Sequence, residues 1–284
     1  MKGKESLKIG FIGQGYIGKN YADDFEERGF SVVRYALEEP YKKNKEALKS
    51  CPIVFIAVPT PTTTRGFDDA ILRGTMDLFS NGTSVVIKST IIPGTTASIQ
   101  KDFPGLFIFH SPEFLTKKTA AYDARNPERN IIGTPKDTTE YRKRAKKILD
   151  LLPKAQYETI CKAQEAEILK YASNVFGYTK VVFMNLLYNL SEKHNCDWDV
   201  LKKAMAADSK IGTWHLDPVH KGGRGAGGIC FIKDFEAFRR FYADMVSDQE
   251  GIEFLNALLK KNKKLLKDTN KDFEILRGVY GDDL

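Results

Sequence analysis

The amino-acid sequence has 284 residues, 42% of them hydrophobic, and a formal net charge of +7. It contains no run approaching the roughly 18 uncharged apolar residues of a membrane span, and its first residues lack the apolar core of a signal peptide, so a cytoplasmic location is expected. The lysines are spread along predicted helices without interleaved aromatic residues, which argues against nucleic-acid binding and suits an anionic small molecule as partner.

The first half of the chain alternates apolar runs with helix-like stretches, which is the rhythm of a parallel, doubly wound sheet. From about Glu165 onward, long helical periodicity takes over. We therefore predict an α/β protein with an N-terminal Rossmann-type doubly wound parallel sheet in residues 1–160 and an all-helical second domain in residues 161–284. The predicted strands are, in chain order, LKIGFIG, SVVRYA, IVFIAV, SVVIKS, LFIFHS and NIIGT.

The first predicted strand leads into the motif GQGYIG and then into a helix, the context that a dinucleotide-binding turn requires. Gly13 permits the tight turn, Gly15 lets the backbone approach a pyrophosphate at the helix N-terminus, and Gly18 allows close helix–strand packing. The predicted cofactor contacts in this motif are Gly13, Gly15, Tyr16, Ile17 and Gly18.

The choice between NAD and NADP depends on the end of the second predicted strand, where an acidic residue normally binds the adenosine ribose. That position is occupied by Ala36, although Glu38 and Glu39 follow closely. Arg34 and two nearby lysines would instead suit the 2′-phosphate of NADP. NAD is the expected cofactor, and NADP is the alternative.

A glycine-rich segment, KGGRGAGGIC, interrupts the helical half and is not expected to form regular structure. The segment ends at Cys230. The four cysteines of the chain are widely spaced and include no CxxC pair, which argues against a disulfide framework and predicts no metal site. A thiol is therefore available for chemistry.

Five further segments occur in an order that resembles the UDP-glucose/GDP-mannose dehydrogenase family, over about Leu7 to Asn262. The GGxCxxKD element around Cys230 is the most specific part of the resemblance. The segments are Ala57–Pro61 (AVPTP), Ser89–Thr96 (STIIPGTT), Pro112–Leu115 (PEFL), Lys170–Asn174 (KYASN) and Gly227–Asp234 (GGICFIKD).

The resemblance implies two successive NAD-dependent oxidations of a nucleotide sugar at C6, from alcohol to acid. It also implies that the product is used in polysaccharide biosynthesis. Cys230 would carry the intermediate, first as a thiohemiacetal and then as a thioester. Lys170 and Asn174 are four residues apart, share a helix face, and would stabilise negative charge on the reacting oxygen.

The resemblance also implies roles for three residues in thioester hydrolysis and a set of binding contacts. Asp234 and Thr90 would orient the hydrolytic water, and Glu113 would act as general base or gate the thioester step. The further cofactor contacts are Val58, Pro59, Thr60 and Thr90. The substrate contacts are Phe114, Leu115, Lys170, Asn174, Lys210 and Gly227, with UDP-glucose as the default substrate and a homodimer through the helices after Glu165.

The sequence departs from the family pattern in lacking the third, nucleotide-binding domain. This departure predicts either a partner that supplies the domain or a substrate that is smaller or weakly bound. Lys210 also stands where the family has an arginine that reaches the neighbouring subunit's substrate. Two other interpretations stay open: a β-hydroxyacid dehydrogenase, which needs no cysteine, and a non-catalytic cofactor-binding remnant that acts with a partner.

Overall fold

The computed structural model describes residues 7–282, which form two compact units. The first contains Asp68–Lys170 and the chain up to Thr60, and the second contains Pro61–Phe67 and the chain from Tyr171 onward. The observed division therefore differs from the predicted boundary between residues 160 and 161. The units divide later, inside a continuous helix, and a short earlier segment belongs with the helical unit.

The described residues contain the following strands and helices. In chain order the strands are β1 (Lys8–Ile12), β2 (Ser31–Tyr35), β3 (Ile53–Ile56), β4 (Thr62–Thr63), β5 (Gly66–Phe67), β6 (Ser84–Ile87), β7 (Phe107–His110), β8 (Arg129–Thr134), β9 (Tyr157–Lys162), β10 (Val219–His220) and β11 (Gly223–Arg224). The α-helices are α1 (Tyr16–Glu27), α2 (Ala70–Arg73), α3 (Thr95–Asp102), α4 (Ala120–Arg125), α5 (Thr139–Leu151), α6 (Ala163–Lys193), α7 (Trp198–Ala207), α8 (Gly228–Met245), α9 (Gln249–Asp268) and α10 (Phe273–Tyr280).

The first unit is built on a seven-stranded sheet with the order β2-β1-β3-β6-β7-β8-β9. The predicted Rossmann-type fold is confirmed, and all six predicted strands are present. The chain passes from β1 to β2 on one side and then returns to β3 on the other side of β1, so the strand order reverses between β1 and β3. Such a switch point is where open α/β sheets bind ligands. One detail was wrong, because β8 pairs antiparallel with β7 and the sheet is mixed rather than wholly parallel.

Strand β9, at the edge of the sheet, was not predicted because its sequence, YETICK, is not an apolar run. Its side chains are half-buried or exposed, as expected for a strand with a neighbour on one side only. It pairs parallel with β8 along its whole length, from Tyr157 to Lys162. Fully buried strands such as β3, in contrast, can be recognised in the sequence as unbroken apolar runs.

The core of the first unit is rich in aromatic side chains next to the turn between β1 and α1. Phe11 of β1 stacks on Phe55 of β3 with ring centroids 5.1 Å apart, and it meets Phe25 of α1 edge-on at 5.2 Å. Such pairs contribute about 0.5–1.5 kcal/mol beyond their buried area. They fix α1 against the two strands whose ends form the switch point.

The second unit is helical, as predicted, with two short hairpins. Its core stacks Tyr178 of α6 on Phe235 of α8 with ring centroids 3.9 Å apart. The hairpin of β4 and β5 belongs to this unit because Arg240 of α8 donates to the carbonyl oxygens of Thr63 and Thr64, each at 3.1 Å. The glycine-rich segment is more regular than predicted, since it contains β11 and the first residues of α8.

The long helix α6 leaves large apolar side chains on its surface, among them Phe183, Leu186 and Leu190. Their spacing of three and four residues places them on one face of the helix. A homodimer through this face stays a prediction. No helix in the part of the chain that the structure describes is both long and apolar enough to span a bilayer.

Candidate active site

The turn between β1 and α1 has the geometry of a pyrophosphate site. Gly13 adopts φ +85°, and its N–H donates to the carbonyl of Tyr35 at 2.9 Å. Helix α1 begins after Gly15, which brings no side-chain cap, and its first turn has no acidic residue. A Cβ on Gly15 would meet no heavy atom within 4 Å. A helix N-terminus without a side-chain cap fits the phosphates of NAD.

The two outer glycines of the motif are required by the fold itself. A Cβ on Gly13 would lie 2.2 Å from the carbonyl oxygen of Ala57, and a Cβ on Gly18 would lie 1.9 Å from the carbonyl oxygen of Gly13. Both neighbours are backbone, which cannot move aside as a flexible side chain would. The motif therefore combines two packing glycines with one glycine that leaves room for a ligand.

This division of roles predicts opposite outcomes for two similar substitutions. Gly18→Ala is expected to lower the free energy of unfolding by about 2 kcal/mol or more, because the backbone must shift. Gly15→Ala is expected to change it by less than about 0.5 kcal/mol, because Gly15 has φ −68°, which alanine adopts, yet to weaken NAD binding about tenfold or more. Urea unfolding and calorimetric NAD titration measure both. Equal effects of the two variants on stability would contradict the assignment.

The loops after β3 and β6 are bonded to each other at the same edge of the sheet. The Val58 N–H donates to Ser89 Oγ at 3.0 Å, and the Ser89 hydroxyl donates back to the Val58 carbonyl at 2.7 Å. Thr60 Oγ1 donates to the carbonyl of Thr90 at 2.6 Å. The structure thus brings three predicted cofactor residues together with Pro59, at the carboxyl ends of parallel strands where dinucleotides bind.

The residues at the end of β2 bear on whether the cofactor is NAD or NADP. Ala36 is buried, and Glu38 and Glu39 are exposed. Arg34 is held by α1, since its guanidinium donates to Asp23 at 2.7 Å and to Glu26 at 2.7 and 2.9 Å. A guanidinium already shared by two carboxylates is poorly suited to bind a 2′-phosphate, which favours NAD.

Glu113 and Lys170 form a buried ion pair in the first unit. The Lys170 ammonium donates to Glu113 Oε1 at 2.9 Å and to the Glu113 carbonyl at 2.7 Å. The other carboxylate oxygen accepts the Leu115 N–H at 2.8 Å. Both side chains are almost fully buried. The Phe114 ring has the Arg129 guanidinium 3.7 Å and the Lys170 ammonium 5.6 Å from its centroid.

A second buried lysine, Lys88, directly follows β6 and was missed by sequence reasoning. Its Nζ donates to Ser111 Oγ at 3.0 Å and lies 4.2 Å from the centroid of the Tyr21 ring. Burial lowers the pKa of Lys88 to about 7, while the charge of Glu113 opposes the shift and that of Lys170 adds to it. The signal in the sequence that could have identified Lys88 is its position immediately after an apolar strand.

The lowered pKa of Lys88 predicts how stability depends on pH. Between pH 7 and the ordinary pKa of 10.5 the unfolded chain holds a proton that the folded protein releases, so this group makes the free energy of unfolding rise with pH across that window. Below pH 7 the folded protein carries the full cost of a buried ammonium. Lys88→Met is therefore expected to stabilise the protein most at pH 6.5 and progressively less toward pH 9.5.

Urea unfolding of the wild type and Lys88→Met at four pH values measures this difference. Exposed Lys101, replaced in the same way, serves as the control and is expected to give a difference that does not vary with pH. A constant difference for Lys88→Met over the whole range would contradict the lowered pKa.

In the second unit, three predicted catalytic residues lie on two neighbouring helices. Cys230 is in the first turn of α8, and Asp234 follows one turn later on the same face. The buried Asp234 carboxylate accepts from Asn174 Nδ2 of α6 at 2.6 Å and pairs with Lys233 through its other oxygen. Asn174 of α6 thus orients Asp234 on the helix that also carries Cys230.

The predicted pairing of Lys170 with Asn174 on one helix face is present in α6, but their side chains have different partners. Lys170 binds Glu113, and Asn174 binds Asp234. Lys210 is exposed, in a turn where the Asp208 side chain accepts the Lys210 N–H at 2.9 Å. The roles assigned to all these residues stay predictions.

A mixed doubly wound domain with a glycine-rich first turn, followed by a helical unit, defines a dinucleotide-binding dehydrogenase fold. Two models of one family match the chain: the NAD binding domain of the UDP-glucose/GDP-mannose dehydrogenase family over residues 36–151, and its central domain over residues 164–264. Together the two ranges span more than half of the sequence. The chain belongs to this family, and the expectation of NAD as its cofactor is confirmed.

Individual relatives agree with this assignment. UDP-glucose 6-dehydrogenase YwqF of Bacillus subtilis is 32% identical over 268 residues, which cover 87% of this chain and 56% of the relative. The structure of a UDP-glucose dehydrogenase from the archaeon Pyrobaculum islandicum superposes with a TM-score of 0.76 at 27% identity, covering 93% of this chain and 69% of that one. The chain thus spans little more than half the length of its curated relative.

A third comparison bears on the fold alone. The structure of 3-hydroxyisobutyrate dehydrogenase from Mycobacterium tuberculosis superposes with a TM-score of 0.70 at 15% identity, covering 94% of this chain and 97% of that one. The fold is therefore shared with this 3-hydroxyisobutyrate dehydrogenase. Function must be argued from the side chains.

Proposed function

We propose that this protein oxidises the C6 alcohol of a nucleotide sugar, UDP-glucose by default, to the uronic acid through a thioester on Cys230. The observation that carries the proposal is the position of Cys230 in the first turn of α8, one turn before an Asp234 that is fixed by Asn174 and Lys233. A packed structural cysteine would need neither neighbour.

The first oxidation converts the alcohol to an aldehyde and releases one proton. Each of the two oxidations delivers one hydride to bound NAD, which is the chemistry that the cofactor supplies. Lys170 would stabilise the negative charge that develops on the alcohol oxygen, because its ammonium is buried where the effective dielectric constant is low. Glu113 holds that ammonium in place through its carbonyl and its carboxylate.

The Cys230 thiolate would then attack the aldehyde carbon, forming the carbon–sulfur bond of a thiohemiacetal. The second oxidation makes this carbon a thioester carbonyl. The positive end of the α8 dipole favours an anion in the first turn, which suits a thiolate nucleophile. The aldehyde remains bound to the protein, so no free aldehyde is released.

Hydrolysis ends the reaction and frees the thiol. Water adds to the thioester carbonyl, the carbon–sulfur bond breaks, and the acid leaves. Asp234 and Thr90 would orient this water, and Glu113 would accept its proton. Glu113 is suited to the role because it is buried and its carboxylate is already held in one orientation by Lys170 and the Leu115 N–H.

UDP-glucose is the proposed substrate because the relatives at 32% and 27% identity are named for it. The β-hydroxyacid interpretation shares the fold but gives no role to Cys230, nor to the glycine-rich segment before it. It also predicts one reduced cofactor per substrate where the thioester mechanism predicts two. Stoichiometry therefore separates the two functions.

The test offers the purified protein NAD or NADP with UDP-glucose, GDP-mannose, their N-acetyl relatives and small β-hydroxyacids. Reduced cofactor is counted against substrate consumed. Two NADH per sugar nucleotide, with NAD preferred over NADP, is the expected result. One NADH per hydroxyacid would establish the alternative enzyme, and NAD binding without turnover of any substrate would favour the non-catalytic remnant.

A further inference from the structure

The glycine-rich segment before Cys230 packs against a turn that sequence reasoning did not single out. This turn, Thr269–Asp272, joins α9 to α10. A Cβ on Gly223 would lie 2.7 Å from Lys271 Cβ and 2.8 Å from Thr269 Oγ1, and a Cβ on Gly227 would lie 2.1 Å from Asp272 Oδ2. Glycine at both positions is what allows the two segments to approach so closely.

The turn also supplies hydrogen bonds that the glycine-rich segment cannot make within itself. Lys271 Nζ donates to the carbonyls of Gly225 at 2.8 Å and Gly223 at 3.4 Å. Thr269 Oγ1 accepts the N–H of Arg224 at 3.0 Å. Lys271 is 9% exposed, so these bonds are made away from solvent. Buried backbone groups that lose such partners destabilise the fold, because nothing replaces the lost hydrogen bonds.

The third contact reaches the helix that carries the thiol. Gly228 is the first residue of α8, and the helix has no side-chain cap from its own N-cap residue, Gly227. Asp272 supplies the missing acceptor, because its Oδ2 accepts the Gly228 N–H at 2.7 Å. Cys230 lies two residues further along, in the turn of helix that this bond fixes.

The charges of Asp272 and Lys271 at the N-terminus of α8 also fit this packing of the turn against the glycine-rich segment. The Asp272 carboxylate sits at the N-terminus of α8, where a thiolate on Cys230 would also lie, and the adjacent Lys271 ammonium offsets it. Burial lowers the pKa of Lys271, whereas Asp272 opposes that shift and Lys221 adds to it. The segment of α9 before the turn adds Asn262, whose amide accepts from the Ala226 N–H at 2.7 Å and donates to its carbonyl at 3.0 Å.

We propose that the Thr269–Asp272 turn is a positioning element for the Cys230 thiol, with Lys271 holding the glycine-rich segment and Asp272 capping α8 from outside the helix. The proposal rests on the proposed function in that Cys230 is the nucleophile. It assigns Lys271 and Asp272 no contact with substrate or cofactor. It accounts for Gly223 and Gly227, where a side chain would collide with the turn.

The variants Asp272→Ala, Asp272→Asn and Lys271→Met test this element, and exposed Glu274→Ala and Lys264→Met are the controls. Asp272→Asn keeps an acceptor oxygen and removes the charge. Three measurements are made on each full-length protein: the pH profile of iodoacetamide alkylation at the Cys230 peptide, amide hydrogen exchange at Gly225–Cys230, and kcat and KM for the sugar nucleotide and NAD.

Asp272→Ala and Lys271→Met are expected to lower kcat at least about tenfold while leaving the KM for NAD within about twofold, because misplacement of a nucleophile costs rate. Exchange at Gly225–Cys230 should quicken, and the alkylation profile should shift. Asp272→Asn should restore most of kcat and of the exchange protection, with the alkylation midpoint at lower pH because the neighbouring negative charge is gone. Both controls should match the wild type.

An unchanged alkylation profile and kcat in Asp272→Ala would overturn the proposal, as would an Asp272→Asn variant as impaired as Asp272→Ala. Alkylation and exchange require no turnover. A wild type that reduces no NAD but whose Cys230 reactivity depends on Asp272 would therefore refute the proposed function alone. If the wild type turns over substrate normally and substitution of Asp272 leaves the reactivity of Cys230 unchanged, the positioning element alone is refuted.

Discussion

Replacing Cys230 by serine is expected to lower steady NADH formation from UDP-glucose by on the order of 10³-fold or more, since loss of a covalent nucleophile removes the step that all later chemistry depends on. The first oxidation needs no thiol. A single turnover is therefore expected to yield at most one NADH per protein molecule. Stopped-flow absorbance at the NADH band measures both the burst and the steady rate.

Cys196 provides the matched control for this substitution, because it is an exposed cysteine in the same unit. Cys196→Ser should retain the wild-type rate. Thermal unfolding should not distinguish either serine variant strongly from the wild type, because the substitution is nearly isosteric. Steady production of two NADH per sugar by Cys230→Ser would show that no thioester forms there.

Replacing Lys170 by methionine is expected to cost about 3–5 kcal/mol of stability, because the Glu113 carboxylate is left buried without its cation. The pair is 2.9 Å apart, with side chains 7% and 3% exposed, so water cannot take over the lost bond. The same variant should lose turnover, since the proposed oxyanion charge is gone. Urea unfolding and NADH formation separate the two effects.

A double-mutant cycle shows whether the stability loss comes from the stranded carboxylate. Adding Glu113→Gln to Lys170→Met should recover a large part of the lost stability, because the buried group is then neutral. Turnover should stay absent in the double variant. Exposed Lys162→Met is the control for removing a lysine close to α6 and should cost less than about 0.5 kcal/mol. Additive stability losses in the cycle would contradict a direct buried pair.

The sheet was predictable from the sequence wherever strands are buried on both faces. β3 and β6 are wholly buried and read as continuous apolar runs. β9 lies at the sheet edge and has no such run, so the predicted boundary between the two domains fell on the strand itself. The reversal between β7 and β8 left no signal in hydrophobic patterning, since that patterning carries no information on strand direction.

The candidate site was predictable where one local motif dictates the geometry. The GQGYIG turn is such a case, because backbone contacts of Gly13 and Gly18 admit only glycine. Family resemblance supplied the assignments to Glu113 and Lys170. It did not show that Glu113 binds Lys170 through two atoms, because that bond joins residues far apart in the chain.

Residues that act through long-range packing were beyond sequence reasoning. Nothing local marks Asp272 as the acceptor for Gly228, 44 positions away. The available signal was indirect: a run of glycines in a helical unit implies that something approaches the backbone closely. Arg34 shows the same limit, since its charge alone left NADP open as the alternative, and its two carboxylate partners, Asp23 and Glu26, lie elsewhere in the sequence.

The most direct measurement of the central claim is the mass of the Cys230 peptide during turnover. Glu113→Gln, which should slow hydrolysis of the thioester, is mixed with NAD and UDP-glucose, quenched in acid and digested. We expect the uronyl adduct on the peptide containing Cys230, absent without NAD and absent from the Cys196 peptide. NADH formation with an unmodified Cys230 at every time point would contradict a thioester mechanism.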